Sequence, residues 1–286
     1  MVLALASLHR NPHYLRDISV QEPDKIPIFS IIIPSLNRPE SLEKCLISIS
    51  HQTFKDYEVI VCGEEGPLTK IRNQGARKAN GKYLVFIDDD VSVSAGWLIS
   101  IYETFEQRPE VGGVSGPAII RDIYRNGRDL FRFRFFKWLY DVVFLGKMRL
   151  LPGHFTKAGA WTTGACEQFC NYIGEVHFLE ACNMAFTRDA FEAVGGFDET
   201  YRGVGDWSEP DIAFKIRKLG YRLWFTRDAK LFHNPSTDGA FLKRKSDSRN
   251  RLSNYYLFSK RWIKPCFHHL LYKLFLEIYY GIKSLK

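Results

Sequence analysis

Short apolar runs alternate with segments of helical period from residue 29 onward. FSIIIPS (29–35) is a continuous apolar run rich in β-branched residues that ends near a proline, the pattern of a strand buried on both faces. Pro39 then opens ESLEKCLISISHQ, where Leu42, Cys45, Leu46 and Ile49 fall at i, i+3, i+4 and i+7 on one helix face. DYEVIVCG (56–63) reads as a second buried strand, LTKIRNQGARKANG as a short helix with a glycine stop, and KYLVFIDDD (82–90) as a third strand. This succession predicts an α/β domain with a Rossmann-like, mostly parallel central sheet flanked by helices. In such sheets ligands gather beyond the carboxyl ends of the strands, where Ser35–Arg38, Glu64–Glu65 and Asp88–Asp90 fall.

Further along, a helix is expected at about 94–108 and a strand over VGGVSGPAII (111–120). Residues 121–178 are less regular. Within them FRFRFFKWLYDVVFLGKMRLL is basic and aromatic, either a partner surface or amphipathic packing. HFLEACNMAFTR (177–188) reads as a strand, DAFEAVGGFDE as a short helix stopped by two glycines, YRLWFT and LFHNPST as the last strands. The periodicity divides the chain into a leader (1–28), a catalytic-type α/β domain (29–240) and a C-terminal tail (241–286).

Composition changes this picture in two places. The chain of 286 residues carries a net charge of +8, but residues 241–286 hold eleven Lys or Arg against two acids. The body is therefore near neutral, and the charge speaks about the tail's partner. Six scattered cysteines without metal-type spacing predict free thiols in a reducing compartment; Cys166 and Cys170, sharing a helix face, are the one pair with a metal alternative. Neither a signal peptide nor an uncharged apolar run of membrane-spanning length is evident, so a cytoplasmic protein is expected, with peripheral placement on the cytoplasmic membrane face left open.

Three aspartates closing a hydrophobic strand are costly unless something positive binds there. Alternation along a strand turns Asp88 and Asp90 one way and Asp89 the other, and two carboxylates on one face suit a hard divalent cation such as Mn²⁺ or Mg²⁺. The competing reading is a solvated strand end or a helix cap. DWSEPDIAFKIRKLGY (206–221) likewise places three acids at a helix start. Ser208 as N-cap, with Asp211 completing a capping box and Pro210 in the first turn, is the plain reading; a proton-abstracting carboxylate is the sharper one.

Five stretches in order, IIIPSLNR (31–38), IRNQGARKANGKYLVFIDDD (71–90), EACNMAFTRDAFEAVGGFDE (180–199), SEPDIAFKIRKLGY (208–221) and FHN (232–234), resemble the inverting nucleotide-sugar glycosyltransferases of family 2, with the GT-A fold. The resemblance covers about residues 29–240 and implies a metal-dependent transfer of sugar from a nucleoside diphosphate sugar to an acceptor hydroxyl. By position it implies that Pro34, Ser35, Asn37 and Arg38 line the nucleotide pocket, that Arg72 approaches the base or diphosphate, and that Asp88–Asp90 are the DxD element. Asp88 would then lie near ribose and metal, Asp89 on the nucleotide side, and Asp90 would be the firmest metal ligand, with His233 completing the set. CGEEG stands where the family usually carries an aspartate pair, so Glu64 is the nearest equivalent for the nucleobase, and a UDP-sugar is the favoured donor. Counting back from Gly220 puts Glu209 on the general-base position, with Asp211 the alternative and Ser208 replacing the preceding acid. Asn183 and Trp207 fall on the acceptor side, Trp207 being a plate for a sugar ring or ordinary core. The expected reaction is a single in-line displacement with inversion.

The tail contains a helix at about 266–282 that is apolar apart from a His269, Lys273, Glu277 stripe. A wide apolar face with basic flanks suits a membrane interface; a helix docked on the catalytic body is the alternative. Clustered aromatics on apolar stretches argue against nucleic acid. A glycan or lipid-linked acceptor and self-association complete the expected partners. Two competing functions are a nucleotidyltransferase, which would want a glycine-rich phosphate loop that PSLNRPES lacks, and a non-catalytic nucleotide-sugar-binding protein.

Overall fold

A computed structural model describes residues 19–20, 26–63, 65–120, 134–162, 170–234 and 248–284. Its centre is an eight-stranded sheet of β1 (Ser19–Val20), β3 (Tyr57–Cys62), β2 (Phe29–Pro34), β4 (Tyr83–Phe86), β9 (Met184–Thr187), β6 (Val111–Ser115), β10 (Arg222–Phe225) and β8 (Gly174–Val176), in that spatial order. Strands β3, β2, β4, β6 and β10 run one way, and β9 is inserted antiparallel between β4 and β6. Three further strands, β5 (Val91–Val93), β11 (Leu231–His233) and β7 (Ala118–Ile120), form a small second sheet centred on β11.

The unbroken apolar runs are explained by helices on both faces. Alternate residues turn opposite ways: Ile31, Ile33, Val59, Val61 and Val85 pack under α1 (Pro39–Ser50) and α3 (Trp97–Gln107), whereas Ile32, Ile60 and Phe86 belong to the core on the other face. That second core is built with α2 (Leu68–Lys78), α5 (Arg188–Ala193) and α6 (Ser208–Lys218). Helix α1 buries Leu42, Cys45, Leu46 and Ile49, the stripe read from the sequence.

Two strands differ from expectation. The run 111–120 divides into β6 and β7, which belong to different sheets. A Cβ on Gly116 would lie 2.1 Å from the carbonyl oxygen of Ala229, and Pro117 has no N–H to continue a ladder, so the chain leaves one sheet for the other there. Of 177–188 only Met184–Thr187 is strand; the preceding strand is the separate Gly174–Val176.

The tail is not an appendage to a body ending at residue 240. Helix α7 (Ser248–Trp262) buries Tyr255 and Phe258, and α8 (Phe267–Ser284) buries Tyr272, Phe275, Leu276, Tyr279 and Tyr280, all within the core that holds α6. Before them in sequence, α4 (Arg134–Leu139) continues through a π turn, Tyr140–Leu145, and a 3₁₀ turn, Gly146–Leu150. The inner aromatics Phe136, Tyr140 and Phe144 meet Phe275, Tyr279 and Tyr272 of α8 at 5.1–6.0 Å between ring centroids. Of the leader, Ser19–Val20 pairs antiparallel with β3, whereas residues 1–18 and 21–25, with Glu64, Cys166 and the basic stretch 243–245, lie outside the described residues. Cys45, Cys62 and Cys182 are buried.

Candidate active site

Strands β2 and β4 run side by side in the same direction, so the segments following them share one edge. Regular strand stops at Phe86, and Asp89–Asp90 make a tight turn into β5 of the second sheet. The turn separates the three acids as alternation predicted. Asp88 and Asp90 come together with His233, one ligand atom of each lying within 4.8 Å of the others. His233 Nε2 is 2.9 Å from Asp90 Oδ1, and the Asn234 amide donates to the Asp90 carbonyl at 2.7 Å, which pins the end of β11 against the turn. Two carboxylates and an imidazole from separate segments, with like charges brought close, make a donor set that fits a divalent cation; it is the one such group among the described residues. Burial, and after it the like charge of Asp90, raise the Asp88 carboxyl pKa, while Arg72 opposes the rise.

Asp89 turns inward. It is fully buried, accepts hydrogen bonds from Ser35 Oγ at 2.6 Å and Arg38 Nε at 2.9 Å, and pairs a second time with the Arg38 guanidinium. Expected on the nucleotide side, it instead holds the loop after β2, because a carboxylate beneath the sheet edge needs donors and that loop supplies them. Arg38 reaches on to Asp90 Oδ2 at 3.2 Å. Asn37 adopts φ +56°, so the loop turns sharply just before Arg38, which reaches Asp90 of the metal-capable group, while Ser35 binds Asp89.

Arg72 was expected at the base or diphosphate. It is buried, 1% exposed, and its guanidinium bridges Glu209 Oε1 at 2.9 Å and Asp88 Oδ1 at 3.5 Å while donating to the Ala181 carbonyl at 3.0 Å. Phe197 packs against its cationic face at 5.5 Å. Arg72 therefore ties the metal-capable group to α6. Burial raises the Glu209 carboxyl pKa above the ordinary glutamate range, and Arg72 pulls it back without reversing the direction.

The three acids of DWSEPDIAFKIRKLGY have three different partners. Glu209 faces Arg72, Asp206 takes Arg251 at 2.6 Å, and Asp211 takes Lys215 at 2.7 Å, Trp262 Nε1 at 2.7 Å and Arg261 at 3.2 Å. Asp211, the alternative base, is fully buried among those donors. The capping box does not form. Helix α6 begins at Ser208, whose Oγ finds no hydrogen-bond partner, and Trp207 is the N-cap in the left-handed conformation with φ +78°. A tryptophan held there is strained by about 1–3 kcal/mol and persists only where packing over-determines it. Tyr255 and Phe258 of α7 lie 5.1 and 5.2 Å from its ring, and Trp161 and Phe155 stand at 6.1 and 6.2 Å. Between the core and sugar-plate readings of Trp207, its burial in this aromatic cluster favours core.

Asn183, expected on the acceptor side, is a staple. Its amide accepts from Trp97 Nε1 at 3.0 Å and donates to the carbonyls of Gly116 and Ala229 at 3.0 and 2.8 Å. Both donor hydrogens are used where the two sheets meet. Helix α7 was not anticipated as part of the site, yet it brackets the turn before Glu209. Asn254 binds both the N–H and the carbonyl of Arg202 at 3.0 Å, Arg251 holds Asp206, and Arg261 with Trp262 holds Asp211. The signal was present as arginines interleaved with aromatics in RNRLSNYYLFSKRW, which was read as part of a basic tail.

An open α/β sheet with acids and a histidine gathered at its carboxyl edge defines a GT-A class of protein, and solved structures agree. The fold is similar to that of GalNAc-T7 with UDP, GalNAc and Mn²⁺ (TM-score 0.57, 14% identity, 84% of this chain and 48% of that one). It is also similar to the Pyrobaculum calidifontis mannosyltransferase PcManGT in complex with GDP-Man and Mn²⁺ (TM-score 0.54, 17% identity, 99% and 82%). Residues 68–166 match the sequence model of glycosyl transferase family 2. A curated relative, the glucosyl-dolichyl phosphate glucuronosyltransferase of Haloferax volcanii, is 22% identical over 231 residues, 70% of this chain and 66% of its own length, just under two thirds. These matches support a glycosyltransferase of the family 2 type.

Proposed function

We propose that the chain moves a sugar from a nucleoside diphosphate sugar to a hydroxyl of a lipid-linked or growing glycan, with inversion at the anomeric carbon. The observation that carries this reading is the bridge Glu209–Arg72–Asp88, which sets one buried carboxylate beside the metal-capable group. Glu209 is the general base. Burial raises its pKa and so makes the carboxylate a stronger base than an exposed glutamate, and Arg72 fixes its orientation. Asp88, Asp90 and His233 would hold Mn²⁺ or Mg²⁺, which supplies charge stabilisation for the departing nucleoside diphosphate. Arg38, paired with Asp89 and Asp90, borders the same site on the side of the β2 loop, where the diphosphate is expected. Transfer proceeds in one displacement: the acceptor oxygen bonds to the anomeric carbon, the bond to the diphosphate breaks, and the acceptor proton goes to Glu209.

The lipid-linked acceptor is supported by the dolichyl phosphate in the Haloferax relative's name. No described helix is long and apolar enough to cross a membrane, so placement on the cytoplasmic face of a membrane would be peripheral. A UDP-sugar remains the favoured donor through Glu64. Incubation with a panel of UDP- and GDP-sugars, with Mn²⁺ or with chelator, tests the reading: metal-dependent release of free nucleotide, abolished in Glu209→Gln, is expected. Metal-independent release that Glu209→Gln leaves intact would overturn it.

A further inference from the structure

The segment 134–150 and helix α8 meet through their inner aromatics, yet each carries a second apolar face turned away from that contact. On the first element Phe135, Trp138, Val142, Val143 and Leu150 are 44–68% exposed. On α8, Phe267, Leu270, Leu271, Leu274 and Ile278 are 37–70% exposed and recur at helical spacing along one side. Ten large apolar side chains on two adjoining elements exceed the scattered single exposures that any soluble surface carries.

Charge identifies the occupant. The described side chains of the first element include Lys137, Lys147 and Arg149 against Asp141; those of residues 264–282 include Lys264 and Lys273 against Glu277. Both acids have local partners, Asp141 in Lys137 at 2.6 Å and Glu277 in the Tyr256 hydroxyl. A second copy of this chain would bring the same positive excess against itself in a twofold contact. An anionic lipid surface complements it, and Trp138 beside Phe135 suits the headgroup level.

We propose that residues 135–150 and α8 form one composite docking face that seats the protein on an anionic bilayer, with the apolar side chains entering the interface and the basic residues meeting the headgroups. This deepens the peripheral placement given under the proposed function and adds to the C-terminal helix a second element more than 110 residues upstream. Through Tyr255 and Tyr272, whose rings lie 5.8 Å apart, α8 adjoins the α7 helix that brackets the turn before Glu209. The seated face is thereby mechanically continuous with the catalytic helix.

The test is co-sedimentation of the full chain with vesicles of phosphatidylcholine alone and of phosphatidylcholine with phosphatidylglycerol, alongside analytical ultracentrifugation. Binding to the anionic vesicles that exceeds binding to neutral ones by about tenfold, and falls with added salt, is expected. Leu270→Glu/Leu274→Glu should lower the bound fraction about tenfold, as should Trp138→Glu, since each replaces inserted apolar surface by charge. Lys147→Glu/Arg149→Glu, exposed and outside the core, should remove the preference for the anionic vesicles while leaving the melting temperature unchanged. Donor hydrolysis in solution should be the same in all variants, so failure of the docking face and failure of the glycosyltransferase reading are told apart. Absence of binding to anionic vesicles, binding indifferent to all three variants, or a concentration-dependent dimer broken by the same variants would overturn the proposal.

Discussion

The two sides of the site are held by different forces. On the β2–β4 side Ser35, Arg38, Asp88, Asp89, Asp90 and His233 are fixed by charge: each acid has a cationic or hydrogen-bonding partner, and two arginines cross-link the set. On the α6 side the turn before Glu209 is fixed by aromatic packing around a left-handed Trp207, with ion pairs only at its margins. On the function proposed above, charged groups at close quarters would keep a place ready for a cation and a diphosphate, because the protein alone leaves them only partly compensated. Aromatic packing is insensitive to what binds and holds direction. Among the described residues Arg72 is the side chain that joins the two, through Asp88 and Glu209.

The sharpest way to break this division is to remove the proposed base from the packed side. Glu209→Gln should cost about 10²–10⁴ in turnover, the usual yield of a positioned general base. The fold should survive, since Gln fills the same space and Arg72 keeps Asp88. Next in size is Trp207→Ala, which should destabilise the chain by about 3–5 kcal/mol through lost packing, offset in part by relief of backbone strain, as read by denaturant unfolding. Third is Arg251→Met. Breaking its pair with Asp206 should cost about 3 kcal/mol, the lower end for a buried pair because the Asp206 side chain keeps 21% exposure. If α7 positions Glu209, this variant lowers kcat while leaving KM for the donor nearly unchanged; a purely structural role would move stability alone.

The smaller effects concern pH. A raised Glu209 pKa means that the base is protonated and idle over a range where an ordinary glutamate is ionised, so turnover should rise with pH through that elevated value. The stability sign follows from the same shift. A carboxyl whose pKa is raised on folding contributes stability that is complete below its unfolded pKa and lost as pH rises through the folded one. The melting temperature of Glu209→Gln relative to the parent should therefore climb over that interval. His177 runs in the opposite sense. Burial first, then the charge of Arg217, lowers its pKa to about 4, so the stability it contributes is lost as pH falls from its unfolded value of 6.5 toward 4. His177→Asn should flatten that part of the acid denaturation curve by a small margin.

Much of the β2–β4 side could be read from the sequence because its information is local. FSIIIP, YEVIVC and YLVF are runs that suit only a doubly covered strand, and DDD at a strand end carries its own electrostatic problem. The α6 side was legible only in its composition. That Asp206, Glu209 and Asp211 have separate roles depends on Arg251, Arg72 and Arg261, which lie 45, 137 and 50 residues away. No local period reports such pairings. The capping box failed for a related reason: tertiary packing set the Trp207 backbone in a region that propensity disfavours, and Asp211 found stronger donors on α7 than the helix's own N–H groups. Asn183 was drawn into the meeting of two sheets whose separation at Gly116–Pro117 no hydrophobic pattern announces.

The most direct measurement on the central claim is single-turnover transfer by Glu209→Gln and Asp211→Asn side by side, each compared with the parent at equal folded fraction. If Glu209 is the base, the chemical step collapses in Glu209→Gln and persists in Asp211→Asn, whose defect is confined to stability. Loss of the chemical step in Asp211→Asn with Glu209→Gln retaining near-parental rates would contradict it.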